Sequence, residues 1–349
     1  MKPFKNLKRL IYEVKNMKVG SLGMNVKKRG RIWRIIRNIV LFVVAISLIW
    51  VAFHTVMKTY EQKKYPARGE MVEVDGKRMH VYAKGDGKET IVLLSGLGTA
   101  APALDYEPLM DEMAKDYKVV VVEPFGYGWS ELTDKERTVE NIVEEIRTAL
   151  KKSNIEGPYI LMPHSLSGIY SMYYAHEYPE EVKAVIGIDF TLPKALEYFD
   201  EPAPTMPAYL KAVAPTGIAR LVSYISPEDV IPIADEGTYS EENLHMTKII
   251  SAGKLYNRNI VDEANEIEKS VEKTKEMSFP SNMPIMIFAA KRDKVTEDGK
   301  SNLTFYETQV GDNPLNELIV LEGHHYLHWT RSKEMSEHVR TFIEQINHH

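Results

Sequence analysis

The 349-residue sequence predicts an α/β fold: a mostly parallel eight-stranded sheet with helices on both faces, preceded by a single membrane-spanning helix. Three observations lead there. Short apolar runs alternate with helical patterns at the spacing of a parallel sheet. A proline-dotted stretch interrupts that alternation once, as an insertion would. One run of 19 residues near the N-terminus carries no charge.

The uncharged run comes first in the chain. Residues 1–38 hold 12 Lys and Arg and one acid, Glu13, which leaves 32 bases against 48 acids in the remainder, a net of −16. A basic head alone would suit nucleic acid, but Ile39–Met57 argues for a bilayer. At about 1.5 Å per helical residue it just crosses a hydrocarbon core of about 30 Å. The basic flank lies on its N-terminal side, so the N-terminus is expected in the cytoplasm and the body outside. A buried core helix would not explain the basic flank. A cleaved signal peptide is opposed by the run's length and by Trp50, Phe53, His54 and Met57, which leave no small-residue cleavage site. The expected organisation is a basic cytoplasmic segment over 1–38, a transmembrane helix over 39–57 and a polar linker over 58–69. The lipid bilayer, met through residues 39–57, is an expected partner and nucleic acid is not. With no cysteine in the chain, disulfides, thiolate metal sites and a cysteine nucleophile are excluded.

The body is expected in two core segments, 70–193 and 280–349, around a helical cap over 194–279. Alternation on either side of Asp75-Gly76 predicts a β-hairpin. Thr90–Leu94 and Tyr117–Val122 are continuous apolar runs, suited to buried parallel strands. Each ends in a glycine-bearing loop, Ser95-Gly96-Leu97-Gly98 and Glu123-Pro124-Phe125-Gly126-Tyr127-Gly128. Val139–Lys152 is an amphipathic helix, and Val182–Asp189 is a further strand. Six prolines then fall among short helical patterns between residues 194 and 279. Pro284–Ala290 and Glu317–Leu321 resume the sheet, and Ser332–Ile346 closes the chain as a helix.

Between these lies the stretch on which function is expected to turn. The apolar run from Tyr159 ends in Pro163-His164-Ser165-Leu166-Ser167, and a helical pattern follows. A serine at a sharp strand-to-helix turn projects its hydroxyl from the sheet edge. It also sits where helix N-terminal amides can meet developing negative charge. That is the geometry of a nucleophile elbow, G-x-S-x-G, here with Pro163 and Ser167 in the glycine positions. Pro163 is tolerable as the last strand residue, where the missing N–H need have no partner. A helix N-cap is the plain alternative for Ser165. A serine nucleophile needs a base within hydrogen-bond reach and a carboxylate to orient that base.

From about Met71 to the C-terminus the order of these features resembles the α/β-hydrolase superfamily, as a serine hydrolase with an inserted helical cap. The resemblance implies Ser165 as nucleophile and His325 as base, since a glycine stands two residues before His325 and an aromatic follows it in Gly323-His324-His325-Tyr326. It implies Asp293, after the seventh strand, as the acid, with Asp189 at the end of the sixth strand as the alternative. The backbone amides of Leu97 and Leu166 would form the oxyanion hole. His328 matches a second histidine common in similar sequences, His324 reads as a surface residue, and Glu123 as ordering its loop. No cofactor and no metal are implied.

The expected activity is cleavage of a carboxylic ester or related acyl bond in a small-molecule acyl substrate, through an acyl-enzyme. Aminopeptidase-type and acyl-transfer enzymes would use the same triad. A cofactor-free haloperoxidase-type or lyase reaction and a non-catalytic binding or scaffold role complete the alternatives. Members of the fold with an aspartate nucleophile, dehalogenases and epoxide hydrolases among them, are disfavoured by serine at 165.

Overall fold

The computed structural model describes residues 26–292 and 295–348, and divides after Phe53 into two compact units. Within the first, helix α1 (Val26–Lys64, whose last turns belong to the second unit) has no apolar stripe. Its large apolar residues are exposed on every side, Phe42 at 66% and Ile49 at 69% among them. A helix apolar all round wants an apolar medium all round, and this one is long and apolar enough to cross a membrane.

The second unit begins on the same helix. Where the polar composition predicts a linker from residue 58, the chain stays helical to Lys64. The reason is local: Glu61 is buried and ion-paired with Arg220, so the polar residues here serve a packed contact rather than a tether.

Its centre is one eight-stranded sheet in the order β1-β2-β4-β3-β5-β6-β7-β8. The strands are β1 (Glu70–Val74), β2 (Lys77–Lys84), β3 (Thr90–Leu94), β4 (Lys118–Glu123), β5 (Tyr159–Pro163), β6 (Val182–Ile188), β7 (Ile285–Ala290) and β8 (Glu317–Leu321). β2 runs antiparallel to both its neighbours, and the pairings from β4 through to β8 are parallel. Asp75 and Gly76 both take positive φ, 50° and 72°, which is what a two-residue turn matched to strand twist demands.

The central strands read as unbroken apolar runs because both faces are covered. Val92, Val120 and Leu161 belong to one core, while their neighbours Ile91, Leu93, Val119, Val121, Ile160 and Met162 belong to the other. The first core is closed by α3 (Val139–Lys152) and α4 (Ser167–Glu177), the second by α2 (Glu107–Met113) and the C-terminal α8 (Ser332–His348). α3 begins at residue 139 because Thr138 caps it, accepting from Asn141 N at 3.3 Å.

The expected cap lies between β6 and β7 and is helical throughout its regular elements. It holds α5 (Ile218–Ile225), α6 (Glu241–Lys254) and α7 (Arg258–Thr274), with shorter helical turns before α5 and between α5 and α6. Asn257 starts α7, its side chain accepting from Asn259 N at 2.9 Å and Ile260 N at 3.4 Å. The carboxyl ends of β3, β5, β6, β7 and β8 open toward this cap side, and the loops leaving them carry the candidate site.

Candidate active site

The elbow forms as the sequence predicts, for reasons the motif alone does not give. Pro163 is the last residue of β5, and the ladder resumes at once: His164 N donates to Leu94 O at 2.9 Å and Ser165 N to Ile188 O at 3.3 Å. Ser165 has φ 53°, left-handed backbone that a non-glycine residue holds only under constraint. The constraint comes from both sides, since Ser165 O accepts from Gly168 N at 3.0 Å and from Thr191 N at 2.7 Å. Close backbone approach falls one residue later than the consensus pattern puts it. A Cβ on Gly168 would stand 2.4 Å from Thr191 O, so Gly168 is the glycine this elbow needs. Residue 167 is free to be serine, and its Oγ donates to Ser95 O.

That bond fastens the elbow to the loop after β3. Gly96 packs so closely that a Cβ there would be 2.9 Å from Ser165 Cβ and 3.0 Å from His164 Nδ1. Gly98, at φ 80°, donates its N–H to Tyr127 Oη at 3.2 Å. Between them Leu97 N, like Leu166 N, donates to no protein acceptor among the described residues. Two free amides beside a projecting serine are what an oxyanion needs.

The base and its carboxylate meet across β6 and the loop after β8. His325 Nδ1 donates to Asp189 Oδ2 at 2.6 Å, and His325 Nε2 engages no partner among the described residues. Asp189 sits just past β6 at φ 39°, with its side chain fully buried. Ala290 N donates to Oδ1 at 3.3 Å, Asn302 Nδ2 donates there at 3.5 Å, and Arg292 Nη2 donates to Oδ2. Burial alone would raise the Asp189 pKa. The hydrogen bond from His325 and the Arg292 charge outweigh it and hold the group below its ordinary value. Asp293, the acid that the resemblance ranks first, lies outside the described residues. The carboxylate found against the histidine is the alternative, Asp189.

The other histidines separate by environment. His324 is exposed and touches Ile233 O at 3.3 Å through Nε2. His328 is fully buried, and its Nε2 lies 2.7 Å from Asp105 Oδ2, whose other oxygen accepts from Trp329 Nε1 at 2.9 Å. It therefore braces the loop rather than reaching solvent. His164, the residue before the nucleophile, is one the sequence did not single out. Its ring lies tilted against that of His325, centroids 4.6 Å apart, and its Nε2 lies 3.1 Å from His325 O, a contact that lets a neutral imidazole donate. Burial, with His328 and His325 beside it, pushes the His164 pKa well below the ordinary value, so the ring stays neutral. Arg292 and Asn302 were missed as well. Their only sequence signal is position, Arg292 just beyond the end of β7 and Asn302 at the start of the short helix that follows.

Glu123 does order its loop. Its carboxylate accepts from Ala103 N at 3.1 Å and Trp129 N at 2.7 Å, and lies 2.9 Å from His80 Nδ1, both side chains being fully buried. Glu263 of α7 accepts from Tyr127 and Tyr170, each at 2.8 Å, and so joins the cap to both the Gly98 loop and α4. A cavity of about 130 Å³ adjoins the Gly98 loop, walled by Thr99, Leu255, Tyr326 and Trp329. A larger one of about 710 Å³ is lined by Lys58, Trp129 and Lys254, and neither cavity is lined by Ser165, Asp189 or His325.

Comparison with known proteins agrees with this architecture. The α/β-hydrolase fold family matches over residues 89–215. The uncharacterized protein YbdG of Bacillus subtilis is 30% identical over 276 residues, which cover 75% of this chain and 82% of that one. The 2-(acetamidomethylene)succinate hydrolase of Mesorhizobium japonicum is 28% identical over 120 residues, 34% of this chain and 42% of that protein. Among solved structures, the epoxide hydrolase VrEH1 of Vigna radiata superposes with a TM-score of 0.61 at 18% identity, covering 80% of this chain and 98% of that one. A sheet crossed in this order, with a left-handed serine after its fifth strand and a cap after its sixth, together with relatives of this extent, places the chain in the α/β-hydrolase fold family.

Proposed function

We propose that the protein is a membrane-anchored serine hydrolase that cleaves a carboxylic ester or a related acyl bond. The observation that carries this reading is the 2.6 Å pair of Asp189 and His325, set beside an elbow that holds Ser165 in left-handed backbone. Ser165 Oγ attacks the acyl carbonyl while His325 Nε2 takes its proton. The Leu97 and Leu166 amides receive the oxyanion, and Asp189 holds the imidazolium that forms. His325 then protonates the departing alcohol. A water, deprotonated by the same nitrogen, attacks the acyl-enzyme and frees Ser165. Asp189 takes the acid's role in this reading. Asp293 is the rival, to be separated from it by mutation. The anchor reading assigns residues 39–57 to the bilayer, with the N-terminus in the cytoplasm and the catalytic unit outside.

The solved neighbours named as epoxide hydrolases share the fold at low identity, and serine at 165 favours acyl chemistry over an aspartate-based route.

A fluorophosphonate probe tests the mechanism. Labelling is expected at Ser165, absent in Ser165→Ala and strongly slowed in His325→Ala. No labelling of the native protein at neutral pH overturns the proposal. External protease added to intact cells tests the topology, with digestion of the catalytic unit as the expected result and protection as the overturning one.

A further inference from the structure

Helix α5 in the cap wears its amphipathicity inside out. Ala219, Arg220 and Ser223 are its buried residues. Ile218, Leu221, Val222, Tyr224 and Ile225 are exposed, the last at 73%. The spacing of 218, 221, 222 and 225 is that of one helical face. In a water-facing cap the arrangement would be reversed, with Arg220 outside and the isoleucines within.

What lies under the helix says which medium the apolar face meets. Arg220 clamps Glu61 with two bonds, Nη1 to Oε1 at 2.7 Å and Nη2 to Oε2 at 2.5 Å, and its Nε donates to His54 Nδ1 at 3.1 Å. Gly217, at φ 73°, leads into α5, and a Cβ there would stand 2.6 Å from His54 Cγ. Besides packing on α6, the helix is thus keyed to one short segment, His54–Glu61. That segment is also where the uncharged run ends: His54 is inside Ile39–Met57, and Glu61 is four residues beyond it. Four helical residues rise about 6 Å. The polar layer outside the hydrocarbon is about 5–8 Å deep on each side. If residues 39–57 fill the hydrocarbon, Glu61 stands at head-group level and so does the helix bolted to it. Tyr224, apolar in body with a polar tip, is a residue type that gathers at that level.

We infer that α5 is an interfacial helix, its Ile218, Leu221, Val222 and Ile225 face seated in the surface of the same bilayer that holds residues 39–57. The inference rests on the anchor reading above and adds to it a second, lateral contact, made by the cap. A helix with one apolar face and a polar underside lies in the plane of the interface, its apolar face about 5–10 Å below the head groups. The contact fixes the cap against the membrane, so apolar substrate partitioned into lipid meets the cap first.

The chain has no cysteine, so single probe sites are clean. The full-length protein is reconstituted in phosphatidylcholine–phosphatidylglycerol vesicles as three variants, Phe42→Cys, Ile225→Cys and Asp312→Cys. Each is labelled with an environment-sensitive nitrobenzoxadiazole dye. Lipids bearing a nitroxide either high or low on the acyl chain then report depth. The Phe42 probe is expected to be quenched by the deep nitroxide. The Ile225 probe should be quenched by the shallow one, at least threefold more than the Asp312 probe. Quenching at Phe42 with Ile225 as insensitive as Asp312 overturns the interfacial helix and leaves the anchor standing. No quenching at Phe42 removes the anchor reading, and this inference with it. Ile225 shielded from aqueous iodide, unquenched by lipid nitroxide and re-exposed on dilution in lipid, would mean that a second copy covers the face, and that also overturns it.

Discussion

Asp189 Oδ2 receives His325 Nδ1–H at 2.6 Å from a carboxylate that water does not reach. A carboxylate so placed holds the tautomer in which Nε2 can accept from serine. Asp189→Asn should lower kcat on short p-nitrophenyl esters by about 10³–10⁴-fold with KM little changed. Asp293→Asn should stay within about tenfold of the native enzyme. Steady-state kinetics of the two variants decide the matter, and the opposite ranking would return the acid to Asp293.

Gly168 and Ser167 make contrasting demands on the elbow. Gly168→Ala forces a Cβ to 2.4 Å from Thr191 O, backbone against backbone, and should destabilise the protein by about 1–3 kcal/mol. Ser167→Ala loses only the bond to Ser95 O, a cost of about 1 kcal/mol. It should slow kcat, because Ser95 leads into the loop that bears Leu97 N. Thermal unfolding in detergent, alongside kinetics, separates the two effects.

His164 is kept neutral by burial and by the two histidines beside it, so its folded pKa lies below that of the unfolded chain. Below an ordinary histidine pKa of about 6.5 the unfolded state takes up a proton that the folded state refuses. Stability is therefore lost as pH falls from about 6.5. His164→Asn, which cannot titrate, should lose less unfolding temperature than the native protein between pH 7 and pH 5. An unchanged acid slope would rule out this assignment.

Arg220 and Glu61 form a buried ion pair, and removing one partner strands the other. Arg220→Met should cost about 3–5 kcal/mol, and adding Glu61→Met should recover most of it. A double mutant no better than the single would show that the pair contributes packing rather than charge. Thermal unfolding of both variants supplies the comparison.

Most of the fold was legible because the sheet is buried on both sides. Thr90–Leu94 and Glu317–Leu321 are bounded as the apolar runs predict, and Val139–Lys152 as its period predicts. The loops that carry Ser165, Leu97 and His325 could be located because motif spacing is local. The contact of Asp189 with His325 was not legible, because which strand-end loop reaches the histidine is a distance no spacing encodes. Arg220 and Glu61 were invisible for the same reason: they are 159 residues apart. The helix running on to Lys64 was hidden because a polar stretch reads alike whether its charges face water or one another.

Glu263 ties α7 to Tyr127 and Tyr170, Asn257 Nδ2 reaches Gly126 O at 2.7 Å, and Asn243 of α6 reaches Leu104 O at 2.9 Å. Two of the three cap helices are thus hydrogen-bonded to the loops and helices that flank the sheet. From α5, by contrast, the Arg220 side chain reaches out to His54 and Glu61. α5 is held from two sides: it packs on α6, and through Arg220 it is bonded to His54 and Glu61 in the last turns of α1. The foot of α1 and α6 therefore bear on α5 together, at a place that carries none of Ser165, Asp189 or His325.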